Sequence, residues 1–294
     1  MIHINTCPVC DGTTFAPYIT TQDYSVSQES FTIKQCKSCH FLITSPRPSD
    51  DQLGRYYQSD NYISHADRPR TMVDRIYWLA RQIALRTKYN LVQQTSPKTL
   101  LDYGCGTGTF LSYCQTRGMA VTGVEPSAQA REIAAGKITP SQVHESITPL
   151  TGTYDIITLW HVLEHVPELN NTITQLKKVL QSDGTLVIAV PNVTTWESTI
   201  YKTHWAAFDV PRHLWHFNKN TITQLFQRHE MTLTQIKPMR LDSFYVSLLS
   251  EKYRRPHNMV PFGMINAAKN GLISNLKARK TGAYSSLIYI FQHA

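Results

Sequence analysis

The chain has 294 residues, of which 41% are hydrophobic, and a formal net charge of +8 with neutral histidines. This length suits one large α/β domain with a small extra module. No apolar stretch approaches the ~20 residues needed to span a membrane, and residues 1–8 lack the basic and apolar regions of a signal peptide. We therefore expect a cytoplasmic protein, monomeric or dimeric, with no membrane partner.

Four of the six cysteines form two close pairs near the start of the chain, in the pattern C-x2-C-x25-C-x2-C. Two such pairs can grip opposite sides of a tetrahedral zinc ion, with a β-hairpin between them. The alternation of Phe31, Ile33 and Gln35 is typical of a hairpin strand, and disulfides are rare in cytosolic proteins. We therefore predict a zinc-ribbon module over residues 1–48, with one structural Zn²⁺ bound by Cys7, Cys10, Cys36 and Cys39.

The segment over residues 49–97 is predicted to be a helical linker that closes over a substrate. Residues 49–52 have the pattern of a capping box, which indicates a short helix ending near Tyr57. Apolar residues at helical spacing then predict a long helix over residues 71–94.

From residue 98 the pattern changes to alternating strands and helices. Such alternation predicts a parallel sheet with helices on both faces, so the expected fold class is α/β and Rossmann-like. We assign residues 98–294 to this domain, with a helical insertion at about 241–280. The predicted strands are 98–103, 120–125, 142–144, 154–160, 184–190, 231–238 and 286–292, and the predicted helices are 109–117, 127–135, 168–180 and 219–229.

The first strand of this domain ends in Asp102 and leads into a turn with Gly104, Gly106 and Gly108. Glycine accepts positive φ and lets a ligand press on the main chain. A strand, a glycine-rich turn and a helix N-terminus together predict a nucleotide-type site at the carboxyl edge of the sheet. At the tip of the second strand, Glu125 is placed to accept both ribose hydroxyls of a nucleoside.

Two cofactor classes fit such a site: a dinucleotide and S-adenosylmethionine. The dinucleotide fingerprint is G-x-G-x-x-G, but the pattern here is G-x-G-x-G, and Thr109 occupies the position of the third glycine. An aspartate before the turn also suits the cationic amino acid end of S-adenosylmethionine better than a pyrophosphate. These features favour S-adenosylmethionine, and a dinucleotide oxidoreductase is the alternative.

The run Leu-Asp-Tyr-Gly-Cys-Gly-Thr-Gly at residues 101–108 resembles the first motif of class I S-adenosylmethionine-dependent methyltransferases. Trp160 and His161, at the end of the fourth strand, resemble the residues that flank the cofactor in that superfamily. The resemblance implies a seven-stranded methyltransferase sheet whose last strand is antiparallel, and S-adenosylhomocysteine as the product. The cofactor-binding residues expected on this basis are Asp102, Gly104, Cys105, Gly106, Phe110, Glu125, Pro126, Glu145, Ser146, Trp160 and His161.

Methyl transfer to a hydroxyl or an enolisable carbon needs a base with a pKa near neutrality, which is most often histidine. The densest candidates are His213 and His216, in a loop that Pro211 would make rigid. His213 is the first choice, and the alternative is that both histidines cap the next helix or fill the core. Glu164 and His165 resemble the pair that begins a helix in the superfamily, which implies a structural role.

The whole layout is similar to a narrower group of methyltransferases that have an N-terminal four-cysteine zinc module and include sugar C-methyltransferases. The cysteines, Tyr57, Tyr62 and the run His213-Leu-x-x-Phe217 carry this similarity. It implies that His213 is the general base and that Tyr57 and Tyr62 line the substrate pocket. We also expect Arg212, beside the base, to contact the substrate.

We therefore predict methyl transfer from S-adenosylmethionine to a small hydroxylated or keto acceptor, such as a nucleotide-linked sugar or a natural product. The alternatives are an RNA methyltransferase, given the basic charge and the zinc ribbon, and an inactive methyltransferase fold that binds a ligand. Base amino-methylases carry a polar residue, two prolines and an aromatic after the fourth strand, which Trp160-His-Val-Leu does not supply. Nucleic acid is therefore not the favoured partner.

Overall fold

The computed structural model describes residues 1–57, 72–256 and 259–294, so the candidate Tyr62 lies outside the described residues. Strands within these ranges form two sheets. In chain order they are β1 (Phe15–Gln22), β2 (Ser30–Cys36), β3 (Leu42–Thr44), β4 (Thr99–Tyr103), β5 (Ala120–Val124), β6 (Val143–His144), β7 (Tyr154–Trp160), β8 (Leu180–Pro191), β9 (Trp215–His216), β10 (Met231–Met239) and β11 (Ser286–His293).

The larger sheet has the order β10-β11-β8-β7-β4-β5-β6. The strands from β8 to β6 are parallel, whereas β11 is antiparallel to both of its neighbours. The predicted α/β class with an antiparallel last strand is therefore confirmed. Along β8, Leu186 and Ile188 pack into one core while Val187 and Ala189 pack into another, because both faces of the sheet are covered.

Helices flank this sheet and follow the prediction closely. In chain order they are α1 (Asp50–Leu53), α2 (Met72–Val92), α3 (Thr109–Gln115), α4 (Ala128–Ala135), α5 (Leu169–Val179), α6 (Trp196–Tyr201), α7 (Lys219–Arg228), α8 (Asp242–Arg254) and α9 (Met264–Thr281). Helices α3, α4, α5 and α7 begin and end within two residues of the predicted bounds.

Two local predictions are wrong. Ser49 is the N-cap of α1, but its side chain makes no capping hydrogen bond, so the predicted capping box does not form. Strand β8 begins at Leu180 rather than at residue 184, because Leu180 pairs with Tyr154 across the sheet.

The smaller sheet joins distant parts of the chain, in the order β1-β2-β3-β9. Strands β1 and β2 form the hairpin between the two cysteine pairs. Strand β3 then pairs antiparallel with β9, with Leu42 opposite His216 and Ile43 opposite Trp215. The N-terminal residues therefore form one sheet with the segment that directly follows His213.

Helices α8 and α9 lie between β10 and β11 in the chain, and they pack against each other. Gly271 of α9 lies against Phe244 of α8, where a Cβ would come within 2.9 Å of the Phe244 backbone. Within the described residues, no helix is both long and apolar enough to cross a membrane.

Candidate functional site

Three glycines shape the loop between β4 and α3. Gly104, Gly106 and Gly108 have φ values of +76°, +54° and +70°, which side chains disfavour. A Cβ at Gly104 would lie 2.5 Å from Val162, and one at Gly108 would lie 3.0 Å from the Ala134 backbone. At Gly106 no described residue comes within 4 Å of the corresponding position. The loop is therefore closely packed at its ends and open at Gly106, where a ligand can reach the main chain.

Two carboxylates flank this opening. The Glu125 carboxylate accepts the backbone N–H of Gly106 and that of Ser127, each at 2.9 Å. The Asp102 carboxylate is 3% exposed and accepts the Thr158 hydroxyl at 2.6 Å. Burial raises the pKa of Asp102 to about 7. Glu125 is thus held at the tip of β5, and Asp102 is buried beside the loop.

An aromatic pair and a lysine line the neighbouring part of the edge. The rings of Phe110 and Trp160 pack edge to face, with their centres 5.6 Å apart. Lys88 Nζ lies 4.5 Å from the centre of the Trp160 ring. The Trp160 indole nitrogen is buried without a hydrogen-bond partner among the described residues. A buried donor without a partner is unfavourable, so a ligand that accepts from it would be stabilised. Lys88 is absent from the predicted set because no motif in α2 distinguishes it from the other basic residues of that helix.

The other predicted cofactor residues lie around the same edge but differ in exposure. Cys105 is buried, and burial raises the pKa of its thiol. The carbonyl of Pro126 accepts a hydrogen bond from Arg131. Glu145 and Ser146 are exposed after β6, and Arg131 pairs with Glu145 at 3.3 Å.

His161 has a different environment from the one expected. Its Nε2 lies 3.0 Å from Asp242, and its Nδ1 lies 3.3 Å from Glu164. Burial opposes ionisation, but these two carboxylates outweigh it and raise the pKa of His161 to about 10. Both ring nitrogens are therefore engaged by protein carboxylates, and His161 joins the start of α8 to the end of β7.

His213 lies in the loop before β9, after a cis peptide bond between Val210 and Pro211. Its side chain is 11% exposed, and its Nδ1 lies 2.9 Å from the carbonyl oxygen of Ala207. Because a carbonyl can only accept, Nδ1 carries the proton and Nε2 of the neutral ring keeps a lone pair. Nε2 lies 3.9 Å from the Asp209 carboxylate.

Three further groups gather around His213. The ring of His165 meets that of His213 edge to face at 4.5 Å, and its Nδ1 lies 3.1 Å from both the Arg212 carbonyl and the Tyr57 hydroxyl. One ring nitrogen of each histidine and one Glu164 oxygen lie within 4.8 Å of one another. Glu164 is 1% exposed, and its partner among the described residues is His161, whose Nδ1 lies 3.3 Å from one carboxylate oxygen. We call Tyr57, Glu164, His165 and His213 the histidine cluster.

The histidine cluster changes the interpretation of His165. Burial, and the charge of His213 when protonated, lower the pKa of His165 to about 4, so the ring is neutral near pH 7. The sequence indicated a structural role for His165 and did not predict its contact with His213. The signal was its position, since β7 is the direct neighbour of β4 in the sheet.

Two other predicted site residues are buried and bonded within the protein. His216 is 3% exposed, its Nε2 lies 2.9 Å from the Thr44 hydroxyl, and burial lowers its pKa well below the usual value. It therefore ties β9 to β3. The Arg212 guanidinium, also buried, donates to Asp209, to Asp23 and to the Tyr56 carbonyl. With these partners it anchors the loop.

The four N-terminal cysteines converge as predicted from their spacing. Their sulfur atoms lie within 4.8 Å of one another, with Cys7 and Cys39 at 3.5 Å and Cys10 and Cys36 at 3.6 Å. Tetrahedral zinc with sulfur at ~2.3 Å places the sulfurs about 3.8 Å apart, so the set fits this ion. The two knuckles have matching turns, because Asp11 donates to the Cys7 carbonyl and His40 to the Cys36 carbonyl, each at 2.9 Å.

Comparisons with known proteins agree with this geometry. Residues 76–236, more than half of the chain, match the methyltransferase-domain family. An uncharacterized methyltransferase of Alkaliphilus oremlandii is 29% identical over 157 residues, which cover 52% of this chain and 68% of that protein. A ubiquinone biosynthesis O-methyltransferase of Nitrosomonas europaea is 29% identical over 119 residues, which cover 37% of this chain and 51% of that protein.

Among solved structures, magnesium protoporphyrin IX methyltransferase from Synechocystis PCC 6803 with bound S-adenosylhomocysteine superposes with a TM-score of 0.53. The two chains are 14% identical, and the superposition covers 83% of this chain and all of the other. The likeness at this identity concerns the fold.

The sheet order and the family match together define a class I methyltransferase fold, and the chain belongs to the methyltransferase-domain family. It is an S-adenosylmethionine-dependent methyltransferase, so the prediction from the glycine loop is confirmed.

Proposed function

We propose that the protein transfers the methyl group of S-adenosylmethionine to a small acceptor with a hydroxyl or an enolisable keto group, and that His213 removes the acceptor's proton. One observation carries this proposal. Glu164 and His165 follow β7 and hold His213 and Tyr57 beside them, and the glycine loop follows the adjacent parallel strand β4, so the histidine cluster and the loop lie at the same edge of the sheet. A methyl donor and a proton acceptor are needed at one place for this reaction.

The described residues suit the cofactor group by group. Glu125 would accept the ribose hydroxyls, and the open main chain at Gly106 would contact the nucleoside. Asp102 would attract the ammonium of the amino acid end and Lys88 its carboxylate. When bound, S-adenosylmethionine would supply a sulfonium-linked methyl group, whose carbon an acceptor nucleophile attacks in line while the S–CH3 bond breaks and S-adenosylhomocysteine leaves.

His213 has the features that a general base requires. The hydrogen bond to Ala207 fixes the tautomer in which the Nε2 lone pair can accept a proton. Asp209, 3.9 Å from Nε2, would stabilise the imidazolium that forms. The acceptor's proton therefore ends on Nε2, while the acceptor oxygen or carbon gains the methyl group. Tyr57 would orient the acceptor through its hydroxyl beside His165.

The narrower assignment, to methyltransferases with a zinc module that include sugar C-methyltransferases, is also a proposal. The hairpin between the cysteine pairs and the position of Tyr57 beside the histidine cluster support it. We keep the proposed division into residues 1–48, 49–97 and 98–294. The pairing of β3 with β9 makes the first unit a direct support for the loop that carries His213.

We further propose that Cys7, Cys10, Cys36 and Cys39 bind one structural Zn²⁺. Metal analysis of protein purified without added zinc should give about one equivalent per chain, as expected for a four-thiolate site. Cys39→Ser should lower this content, and Cys114→Ser, outside the cluster, should not. A metal-free wild-type protein that is fully folded would contradict the proposal.

The functional proposal is tested by calorimetry and by acceptor screening. S-adenosylhomocysteine should bind wild-type protein and should not bind Gly106→Val, which fills the open side of the loop at a positive φ. Labelled S-adenosylmethionine should then transfer methyl to members of a panel of nucleotide-linked sugars, phenols and carboxylates. Cofactor binding without transfer to any acceptor would instead favour an inactive methyltransferase fold.

A further inference from the structure

One face of helix α9 is exposed and apolar. Phe262, just before the helix, is 69% exposed, and along the helix Ile265, Leu272 and Leu276 are 62%, 53% and 47% exposed. Positions 265, 272 and 276 fall on one side at helical spacing. The opposite side is buried in the protein through Ala267, Gly271, Ser274 and Ala278. We call Phe262, Ile265, Leu272 and Leu276 the outer face of α9.

Basic side chains surround this outer face. Lys269, Arg279 and Lys280 are exposed at helical positions that flank it. Residues 240–282 contain eight lysines and arginines but only two acidic residues, Asp242 and Glu251. Asp242 pairs with His161, and Glu251 is 1% exposed and pairs with Arg255. The outward surface of the α8–α9 hairpin is therefore apolar and cationic, without an exposed acidic side chain in its described residues.

We propose that the outer face of α9 docks on an anionic lipid surface, lying in the interface without spanning the bilayer. A helix with exposed leucine and isoleucine on one stripe and lysine and arginine along both sides is the pattern of interfacial helices. Anionic headgroups attract each nearby lysine or arginine, and the apolar side chains enter the acyl boundary.

Charge argues against a second copy of the chain as the occupant. A symmetric dimer through this face would bring Lys269, Arg279 and Lys280 of one copy close to those of the other. Like charges at a contact are unfavourable unless acidic groups lie between them, and the two acidic side chains of the hairpin, Asp242 and Glu251, already pair with His161 and Arg255. An anionic partner removes this repulsion, and an exposed aliphatic stripe suits acyl chains.

The test is co-sedimentation of the full chain with vesicles. We expect binding to phosphatidylcholine vesicles that contain about 30% phosphatidylglycerol, weak binding to phosphatidylcholine alone, and loss of binding as salt is raised. Leu272→Asp and the double variant Lys269→Glu/Lys280→Glu should each weaken partitioning about tenfold or more. Circular dichroism and S-adenosylhomocysteine binding should show that both variants remain folded.

Matched control variants carry the same kinds of substitution outside the outer face of α9. Lys98→Glu/Lys178→Glu alters the net charge equally, and Leu79→Asp alters an equally exposed leucine of α2. Both should bind anionic vesicles nearly as wild type does. The proposal is overturned by no binding to anionic vesicles, by equal binding to neutral ones, or by equal losses in the controls. Dimerisation that Leu272→Asp abolishes would assign the face to a second copy. Vesicle binding requires no turnover, so this proposal and the proposed reaction can fail separately.

Discussion

The glycine loop with its two carboxylates and the histidine cluster lie at the same edge of the sheet, but they are assembled differently. The glycine loop, Asp102 and Glu125 come from one βαβ unit, within residues 99–125, and are held by backbone hydrogen bonds inside it. The cluster combines Tyr57, the end of β7 and the loop before β9. Its support comes from β3, where Thr44 donates to the His213 carbonyl at 2.7 Å.

Because of this difference, substitutions in the βαβ unit and substitutions in the loop before β9 should have different effects. Changes within the βαβ unit should weaken cofactor binding and leave the loop before β9 in place. Changes to that loop or its buried ion pairs should impair turnover or stability and spare the cofactor. The following variants test the separation, from the largest expected effect to the smallest.

His213→Gln should lower the methyl-transfer rate by about 10²–10⁴-fold, because a proton acceptor is removed while the shape of the side chain is roughly kept. Affinity for S-adenosylhomocysteine, measured by calorimetry, should stay within about twofold of wild type. His216→Gln serves as the matched histidine control and should retain more activity. Unchanged turnover in His213→Gln would reject the base.

Arg212→Met should destabilise the fold by about 3–5 kcal/mol, because it removes the buried cation that pairs with both Asp23 and Asp209. Denaturant unfolding measures this loss. Arg212→Lys keeps the charge but not the planar fork, so its cost should be intermediate. A wild-type midpoint in Arg212→Met would show that the ion pairs do not anchor the loop.

Glu125→Gln should raise the dissociation constant for S-adenosylhomocysteine about 10–100-fold. Each oxygen of the carboxylate accepts a backbone N–H, and an amide keeps only one accepting oxygen. Turnover at saturating cofactor should change much less. If Glu125→Gln and wild type bind equally, the ribose does not lie at Glu125.

The ion pairs of His161 should make the free energy of unfolding fall as the pH rises into the alkaline range. Its pKa in the folded protein is raised from 6.5 to about 10, so its ion pairs stabilise the fold fully below pH 6.5 and are lost as pH rises through 10. His161→Gln should therefore cost more at pH 7 than at pH 10.5. The difference should be about 1 kcal/mol, since the ring is one-third exposed and solvent screens its partners. An equal loss of stability at both pH values would show that the ion pairs of His161 do not stabilise the fold.

The smallest effect is expected at Ser49, whose side chain makes no capping hydrogen bond. Ser49→Ala should change the free energy of unfolding by less than about 0.5 kcal/mol. Asn218→Ala is the comparison, because Asn218 forms a true capping box at α7 and its loss should cost about 1 kcal/mol. Equal costs would mean that Ser49 caps α1 in solution.

The difference between local and long-range contacts also explains which features could be predicted from the sequence. The alternation of strands and helices, the glycine loop and Glu125 follow from periodicity and short spacing, because each depends on neighbours close in the chain. Tyr57 and His213 were chosen from their motifs, but nothing local places them beside His165. The roles of Arg212 and His216 depend on partners such as Asp23 and Thr44, more than 170 residues away. Such pairings leave no pattern in a single sequence.

The pairing of β3 with β9 also orders events during synthesis. A ribosome releases the amino-terminal hairpin and β3 long before residues 215–216 exist, so the free side of β3 stays an unpaired strand edge for most of translation. The βαβ unit with the glycine loop can form from local contacts in that interval. The nascent chain should therefore acquire its nucleoside site first, and the loop with His213 should close last.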